Sequence, residues 1–280
     1  MTTAIEVHGL RKRYGDTRAV DGVDLRIGEG EVFALLGPNG AGKTTTVEIL
    51  AGFRDRDGGT VAVLGEDPQR AGLDWRRDIG IVFQDAADVA ALSVIETLRH
   101  FARYYPRARD PYEVLQSVGL EEKARARIRT LSGGQRRRLD VGIGVIGRPR
   151  LLFLDEPTTG FDPEARRRFW ALIRSLAGDG TTILLTTHYL DEAEALADRV
   201  AVVVAGRVAA CGDPASLGGR TTAHATVRWQ EGETPRSVRT DDPGQLVAEL
   251  TARLGGTPPG LTIARPTLED VYLELIGDRR

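Results

Sequence analysis

The residue types best suited to chemistry lie in a glycine-rich segment that ends in a lysine and a threonine. The segment reads Gly37-Pro38-Asn39-Gly40-Ala41-Gly42-Lys43-Thr44 and fits the P-loop pattern G-x-x-x-x-G-K-[ST]. In such a loop, backbone N–H groups turn toward a phosphate, and the N-terminus of the following helix adds partial positive charge. Lys43 can reach the β- and γ-phosphates of a nucleotide, while the Thr44 hydroxyl can bind Mg²⁺. The segment predicts a nucleotide phosphate site, and the alternative is a glycine-rich turn that matches by chance.

The use of basic residues supports the phosphate site. Of the 38 lysines and arginines, only Lys12, Lys43 and Lys123 are lysines. A lysine ammonium is a compact point charge that fits between phosphates, whereas an arginine guanidinium is a broad planar fork. A chain that otherwise uses arginine therefore keeps a lysine where phosphate chemistry needs one.

Two acids come directly after an apolar segment in the middle of the chain. Residues 151–154 are all apolar and predict a buried strand, which delivers Asp155 and Glu156 at its end. Ligands of parallel sheets bind at the carboxyl ends of the strands. Asp155 can hold Mg²⁺ there, directly or through water, and Glu156 can orient and polarise an attacking water. An ordinary strand with an acidic end is the alternative, and the upstream P-loop makes it less favoured.

A third segment, Leu131-Ser132-Gly133-Gly134-Gln135, precedes these acids. It is either a serine N-cap with a glycine turn or a second anion site, in which Ser132 and the glycine N–H groups point at a γ-phosphate. Here the chain resembles the ATP-binding cassette (ABC) ATPases, whose signature motif is LSGGQ. The resemblance covers about residues 4–217.

Other positions match ABC motifs in the expected order. Tyr14 resembles the aromatic residue that stacks on adenine, and Gln84 matches the Q-loop residue that touches Mg²⁺ and water and senses the membrane partner. Asp162 lies in Gly160-Phe161-Asp162-Pro163, which resembles the D-loop with Phe161 where leucine is usual. His188 matches the switch histidine that contacts the γ-phosphate. Taken alone, each could be an ordinary surface tyrosine, strand end, turn or surface histidine.

The resemblance implies ATP and Mg²⁺ as cofactors of an ATPase. The implied catalytic residues are Lys43, Gln84, Glu156 and His188, and the implied metal ligands are Thr44, Gln84 and Asp155. The implied nucleotide contacts are Tyr14, Gly37, Pro38, Asn39, Gly40, Ala41, Gly42, Lys43, Thr44, Thr45, Ser132, Gly133, Gly134, Gln135 and Asp162.

Apolar periodicity indicates the elements that position these residues. Strands alternate with helices, which favours a mainly parallel sheet. Strands are predicted at 4–10, 19–27, 32–36, 60–64, 79–83, 150–155, 181–187, 200–205, 207–211 and 223–229. The expected fold class is α/β: an ABC cassette of the P-loop NTPases with an antiparallel β subdomain, an inserted helical subdomain and a small C-terminal α/β extension.

The expected domains are a cassette at 1–218, with its helical subdomain at about 88–148, and an accessory extension at 219–280. The extension ends in an apolar helical stripe that either packs on the cassette or helps to hold the dimer or regulate turnover. Within the helical subdomain, Arg136, Arg137 and Arg138 are interpreted as a solvated helix face rather than a nucleic-acid patch.

Bulk composition limits the kinds of partner and the cellular location to be expected for the chain. The net charge is −2, so nucleic acid is not expected as a partner, and Cys211 is the only cysteine, which fits a reducing compartment. We find neither a signal peptide nor an apolar run long enough to span a bilayer. Together with these absences, the resemblance implies a cytoplasmic location, peripheral at the inner face of the cell membrane through a separate permease.

The resemblance also implies an assembly, because the signature of one cassette closes on the P-loop ATP of another. The prediction is a head-to-tail dimer, in which both cassettes could be this chain, bound to a permease near residues 85–98. Residues 186–194 and 266–273 are similar to ATPase subunits of bacterial drug- and antibiotic-export systems. An importer subunit and an ATP-switched clamp remain the alternatives, and the sequence does not name the transported compound.

Overall fold

A computed structural model describes residues 2–83, 91–219, 224–232 and 234–277. The chain divides into two compact units, Met1–Cys211 and Gly212–Arg280. Gln84 and residues 85–90 of the expected permease segment lie outside the described residues. The domain boundary at 218 stays a prediction.

The first unit is built on a six-stranded sheet with the strand order β5-β6-β7-β3-β8-β9. Neighbouring strands from β5 to β8 pair in parallel. Strands β3 and β6 are buried along their whole length, as expected for parallel strands covered on both faces. The strands are β3 Val32–Leu36, β5 Ile79–Val82, β6 Leu151–Asp155, β7 Thr182–Thr187, β8 Arg199–Val204 and β9 Arg207–Gly212.

Strand register brings three functional segments to one edge of this sheet. Leu36 of β3 lies opposite Thr187 of β7, and Asp155 of β6 lies opposite Thr186. The segments that follow β3, β6 and β7 therefore begin side by side. This edge is the carboxyl edge, where parallel sheets bind ligands.

A second, antiparallel sheet has the order β2-β1-β4, with β1 Thr3–Tyr14, β2 Thr17–Gly28 and β4 Gly58–Val63. Strand β1 is longer than the predicted 4–10, because Arg11 and Lys12 still pair with Asp21 and Val20 of β2 although the apolar alternation has ended. This antiparallel sheet and the parallel sheet together confirm the expected fold class for this unit.

Four of the helices begin at polar N-cap residues. Ser93, Asp110, Ser132 and Asp162 each accept a hydrogen bond from the first turn of the helix that follows. The helices of the first unit are α1 Lys43–Leu50, α2 Leu73–Arg77, α3 Val94–Ala102, α4 Pro111–Ser117, α5 Gly133–Val145, α6 Pro163–Gly178 and α7 Leu190–Leu196.

Two glycines within α5 lie at close contacts with neighbouring elements. A Cβ atom on Gly142 would lie 3.2 Å from Val114 of α4, and one on Gly144 would lie 3.1 Å from Val82 of β5. Helix α5 therefore sits tightly against both a neighbouring helix and the parallel sheet.

In its described residues, the second unit contains an antiparallel sheet in the order β11-β10-β12 and two α-helices. Val227 and Trp229 of β10 pack with Leu250 of α8 in a small core. The final helix, α9, begins with a capping pair between Thr267 and Asp270. The elements are β10 Ala225–Glu231, β11 Thr234–Thr240, α8 Pro243–Leu254, β12 Thr262–Ala264 and α9 Leu268–Gly277. Among the described residues, none of the helices has both the length and the apolar character of a bilayer span.

Candidate functional site

The P-loop lies between β3 and α1 and approaches the backbone of both sheets. A Cβ atom on Gly37 would lie 2.3 Å from the Val203 carbonyl oxygen, and one on Gly42 would lie 2.1 Å from the Ala19 carbonyl oxygen. Gly42 and Gly40 also have positive φ angles of 99° and 78°. Only glycine satisfies these close contacts, so the loop is fixed in place from both sides.

Exposure varies along the loop in a way that suits ligand access. Helix α1 has no side-chain cap at Gly42, which leaves the N–H groups of its first turn available to an anion. The outward-facing residues are Asn39, Gly40 and Thr44, the half-buried ones are Pro38, Gly42 and Thr45, and the buried ones are Gly37, Ala41 and Lys43.

Lys43 is buried, with 4% of its side chain exposed, and its ammonium has three oxygen neighbours. It donates to the carbonyl oxygens of Gly37 at 2.8 Å and Pro38 at 3.1 Å. Its Nζ also lies 3.4 Å from Oε1 of Glu156. A buried ammonium must be compensated by such partners, and a phosphate oxygen could replace them.

Thr44 and Asp155 form the oxygen-rich part of the site. The Thr44 hydroxyl donates to Oδ1 of Asp155 at 3.2 Å, and the Thr186 hydroxyl donates to the same oxygen at 2.5 Å. Asp155 is 2% exposed. A hydroxyl and a carboxylate are ligands that suit Mg²⁺, which usually takes few protein oxygens and keeps several waters.

Glu156 joins the P-loop to His188. Its backbone N–H donates to the Thr186 hydroxyl at 2.9 Å. Its Oε1 faces Lys43, and its Oε2 lies 3.4 Å from Nδ1 of His188. That last contact lacks hydrogen-bond geometry, because the buried Nδ1 atom has no hydrogen-bond partner. Glu156 can thus present a carboxylate oxygen to water beside a cation and an imidazole.

The Glu156 backbone is strained, with a φ angle of 45°. A non-glycine residue in this left-handed region costs of order 1–3 kcal/mol and persists only where its surroundings hold it. Strain of this kind clusters at functional sites.

The signature segment begins α5. Ser132 and Gln135 form a reciprocal capping pair, with the Ser132 N–H donating to Gln135 Oε1 at 3.0 Å and the Gln135 N–H donating to Ser132 Oγ at 3.3 Å. A Cβ atom on Gly133 would meet no atom within 4 Å, and one on Gly134 would make only ordinary contacts. The cap interpretation therefore holds, yet the fold itself does not require glycine at these positions.

Asp162 caps α6 by accepting from the N–H groups of Glu164 at 3.0 Å and Ala165 at 2.8 Å. These bonds, chiefly the one from Ala165, lower the pKa of the Asp162 carboxyl. Phe161 packs edge-to-face on Phe169, with ring centroids 5.7 Å apart. This contact accounts for phenylalanine where the motif usually has leucine.

Tyr14 lies at the end of β1 and is 41% exposed. The Arg54 guanidinium carbon lies 5.2 Å from its ring centroid, and the Lys12 Nζ lies 5.8 Å away. The ring is thus open to solvent beside two cations, and adenine stacking stays a prediction.

The structure brings together Lys43, Thr44, Asp155, Glu156 and His188 but not the remaining motif residues. Within the described part of the chain, no hydrogen bond or ion pair joins Ser132, Gln135 or Asp162 to this group. Gln84 lies outside the described residues.

The interpretation of the arginine triplet as a solvated face is wrong for Arg137. Arg137 is 8% exposed, and its guanidinium donates to the carbonyl oxygens of Phe83, Asp155 and Pro157. Burial lowers the pKa of this guanidinium. The sequence holds one signal, since Arg137 precedes the apolar residues Val141 and Val145 by four and eight positions, which places the three on one helix face.

Glu192 on α7 is a second buried group that the motifs do not indicate. Its Oε1 accepts from the Thr158 hydroxyl at 2.8 Å and from Trp170 Nε1 at 3.3 Å. Burial raises the pKa of this carboxyl. Glu192 fastens the segment after Glu156 to the helix after His188.

Comparison with known proteins agrees with this geometry. The model of the ABC transporter family matches residues 20–159. The chain is 41% identical to the daunorubicin resistance ATP-binding protein DrrA3 of Streptomyces coeruleorubidus, over 99% of this chain and 97% of that protein. It is also 41% identical to the Nod factor export ATP-binding protein I of Cupriavidus metallidurans, over 99% and 98% of the two chains.

Solved structures share the fold. An ATP-binding subunit of an ABC transporter has a TM-score of 0.72 at 23% identity, covering 97% of this chain and 99% of that one. A dimeric cassette bound to ADP and Pi has a TM-score of 0.68 at 25% identity, covering 75% and 98%. Motifs, fold and relatives agree: the chain belongs to the ABC transporter family, of which it is an ATP-binding and ATP-hydrolysing subunit.

Proposed function

We propose that this chain powers the export of drug-like or other hydrophobic compounds through a separate permease. Its relatives include proteins named for daunorubicin resistance and for Nod factor export, which supports export over import or an ATP-switched clamp. The proposed location is the cytoplasmic face of the membrane, where the permease would hold the chain. The proposed permease contact includes residues 85–98.

The observation that carries the proposed mechanism is the convergence of Lys43, Glu156 and His188 within 3.4 Å contacts. Lys43 and the N–H groups of the P-loop and α1 would bind the β- and γ-phosphates. Glu156 would orient and polarise the attacking water, and His188 would contact the γ-phosphate. Tyr14 would stack on the adenine.

Mg²⁺ fits the oxygen groups at the end of β6. Thr44 and Asp155, already in contact at 3.2 Å, are the proposed protein ligands, together with Gln84. The ion would neutralise phosphate charge as the γ-phosphate leaves. These residues would keep the ion at the carboxyl edge of the parallel sheet.

The site would be completed by a second cassette. Ser132, Gly133, Gly134 and Gln135 of one chain would face the γ-phosphate held by the P-loop of the other, with Asp162 at the same interface. Glycines that the fold does not require support an approach from outside the chain. A head-to-tail pair of this chain would hold two ATP molecules in a closed two-fold assembly.

Glu156→Gln tests the mechanism and the assembly together. The amide keeps the shape of the side chain but is a poor base, so hydrolysis should fall about 100-fold or more. ATP should still bind and should trap a dimer on size-exclusion chromatography with Mg²⁺. The matched control is Glu122→Gln, which removes an exposed carboxylate of the helical subdomain.

Two results would contradict the proposal separately. If the Glu156→Gln variant hydrolyses ATP at the wild-type rate, Glu156 does not take part in the reaction. A variant that binds ATP but remains monomeric at saturating ATP would exclude the homodimer.

Transport direction needs the permease. Inside-out vesicles that hold a candidate permease and this chain should accumulate daunorubicin only with ATP and only when Glu156 is intact. Accumulation by right-side-out vesicles instead would favour import.

A further inference from the structure

Arg137 is the one arginine of the triplet whose guanidinium reaches the parallel sheet. It lies two residues after Gln135, in the first turns of α5, and is 8% exposed. Its Nε donates to the Pro157 carbonyl oxygen at 3.2 Å, and one terminal nitrogen donates to the Asp155 carbonyl oxygen at 2.5 Å. The other terminal nitrogen donates to the carbonyl oxygen of Phe83, just after β5.

These partners give Arg137 control over the backbone around Glu156. The carbonyl of Asp155 belongs to the peptide plane directly before Glu156, and the carbonyl of Pro157 belongs to the second peptide plane after it, so the two bonds bracket that residue. A planar guanidinium fork presents donors in fixed directions, so it fixes both carbonyls relative to each other. A lysine ammonium of similar reach offers rotatable donors on one nitrogen and cannot hold that arrangement.

The backbone of Glu156 needs such support. Its φ angle of 45° is maintained only by surrounding contacts, and Thr186 supplies one by accepting from the Glu156 N–H. Arg137 supplies the others from the opposite element, α5. The Glu156 carboxylate stays between Lys43 and His188 only while this backbone conformation holds.

We propose that Arg137 is a positioning residue that acts through Glu156 and links the signature helix to the hydrolytic carboxylate. The inference rests on the proposed role of Glu156. Because Arg137 and Ser132 share α5, a displacement of the signature by a second cassette would reach Glu156 through the guanidinium. The same bonds extend to Phe83, the last described residue before Gln84.

Arg137→Lys tests this link, and Arg138→Lys is its matched control. Arg138 is also half-buried on α5, but its guanidinium donates to the carbonyl oxygens of Val118 and Gly119 in the helical block. For Arg137→Lys we expect kcat for ATP hydrolysis to fall about 10- to 100-fold, the cost typical of a misplaced catalytic group. ATP affinity and KM should stay near wild type, because the P-loop is untouched. Arg138→Lys should leave kcat unchanged.

A double-mutant cycle separates positioning from a general loss of packing. If Arg137 acts through Glu156, adding Arg137→Lys to Glu156→Gln should not lower the residual kcat further. The rates of all variants in the cycle are compared well below the lowest of their Tm values. If Arg137→Lys does not fold, Arg137→Gln replaces it.

The outcomes divide cleanly. Wild-type kcat in Arg137→Lys, or an additive loss in the double variant, would overturn the inference while leaving the role of Glu156 intact. Normal hydrolysis by Glu156→Gln alone would instead overturn the proposed mechanism. A kcat loss confined to Arg137 variants and absent in the Glu156→Gln background supports the link.

Discussion

The P-loop group and the signature segment differ in how much of their environment the chain itself supplies. Lys43, Asp155 and Glu156 are held by partners from strand β7, the end of strand β6 and the loop between β3 and α1. Ser132 and Gln135 hold each other at an exposed helix start. The P-loop half is therefore held by contacts from several parts of the chain, whereas the signature half is capped only locally and faces solvent.

Glycines show the same contrast. In the P-loop, Gly37 and Gly42 are required because backbone oxygens lie where a Cβ atom would be. In the signature, Gly133 has open space around it and no unusual backbone angle. Glycine costs about 1 kcal/mol relative to alanine in a helix, so its presence there needs a reason outside the fold.

Replacing Lys43 should weaken ATP binding more than the substitutions that follow, which would confirm the P-loop as the nucleotide-binding half of the site. Lys43→Ala removes a charge-assisted contact of about 1.5–3 kcal/mol, which weakens ATP binding by roughly 10- to 150-fold. Calorimetric titration with ATP measures this loss. The control is Lys123→Ala, an exposed lysine of the helical block, which should bind ATP normally. If Lys43→Ala and Lys123→Ala bind ATP with equal affinity, Lys43 does not contact the nucleotide.

Gly133→Ala should separate the two halves most clearly. The added methyl group meets nothing in the chain, so the free energy of unfolding should rise by about 0.4–1 kcal/mol. ATP binding should be unchanged, while the methyl would obstruct the γ-phosphate of a partner and lower hydrolysis about tenfold. Thermal unfolding and steady-state ATPase assays measure both. A variant that is more stable and fully active would mean that nothing docks on this turn.

Asp140, in the signature helix α5, has a buried carboxyl whose charge is less well compensated by its neighbours than the charges of the P-loop group. Burial raises the pKa of Asp140 to about 6, opposed by Arg137 and Arg136. The folded pKa exceeds the unfolded value of 3.8, so stability is lost as pH rises from about 4 to about 6. The loss is about 1–3 kcal/mol at neutral pH.

Asp140→Asn removes this penalty. Its Tm should exceed that of the wild type at neutral pH, and the two should converge near pH 4. Asp16→Asn, at an exposed aspartate, is the control and should show no such convergence. A constant Tm difference across this pH range would contradict the assignment.

Glu192→Gln should have the smallest effect. Burial raises the pKa of Glu192, which favours its neutral form, and the amide oxygen can still accept from Thr158 and Trp170. Glu192→Ala, in contrast, leaves buried donors without a partner, at a cost of about 1–3 kcal/mol. Denaturant unfolding of the pair checks this order. If Gln is as damaging as Ala, the carboxyl has a role beyond accepting these bonds.

The sequence predicts the P-loop half well because its requirements are local. Apolar residues 32–36 precede glycines that only a tight loop needs, and the structure has a buried strand over that range. Strand β11 was missed because its side chains are largely exposed and carry no apolar alternation. Helix α2 was missed because five residues with one buried side chain, Trp75, show no helical period.

Arg137 marks the limit of motif-based prediction. Its partners are main-chain carbonyls 18, 20 and 54 residues away in the sequence. Every residue has a carbonyl, so residue type alone does not identify such a contact. Helical spacing indicates that the position is buried, but only the fold shows what the guanidinium holds.

The resting partners of Lys43 have a consequence for the order of events. The ammonium lies 3.4 Å from Glu156 and donates to two carbonyl oxygens of its own loop. An arriving γ-phosphate would compete with that carboxylate for the same cation. As Lys43 turns to the phosphate, the Glu156 carboxylate would be released from the ammonium and left to accept a hydrogen bond from water. Phosphate binding and the release of the Glu156 carboxylate would thereby be coupled through a single side chain, Lys43.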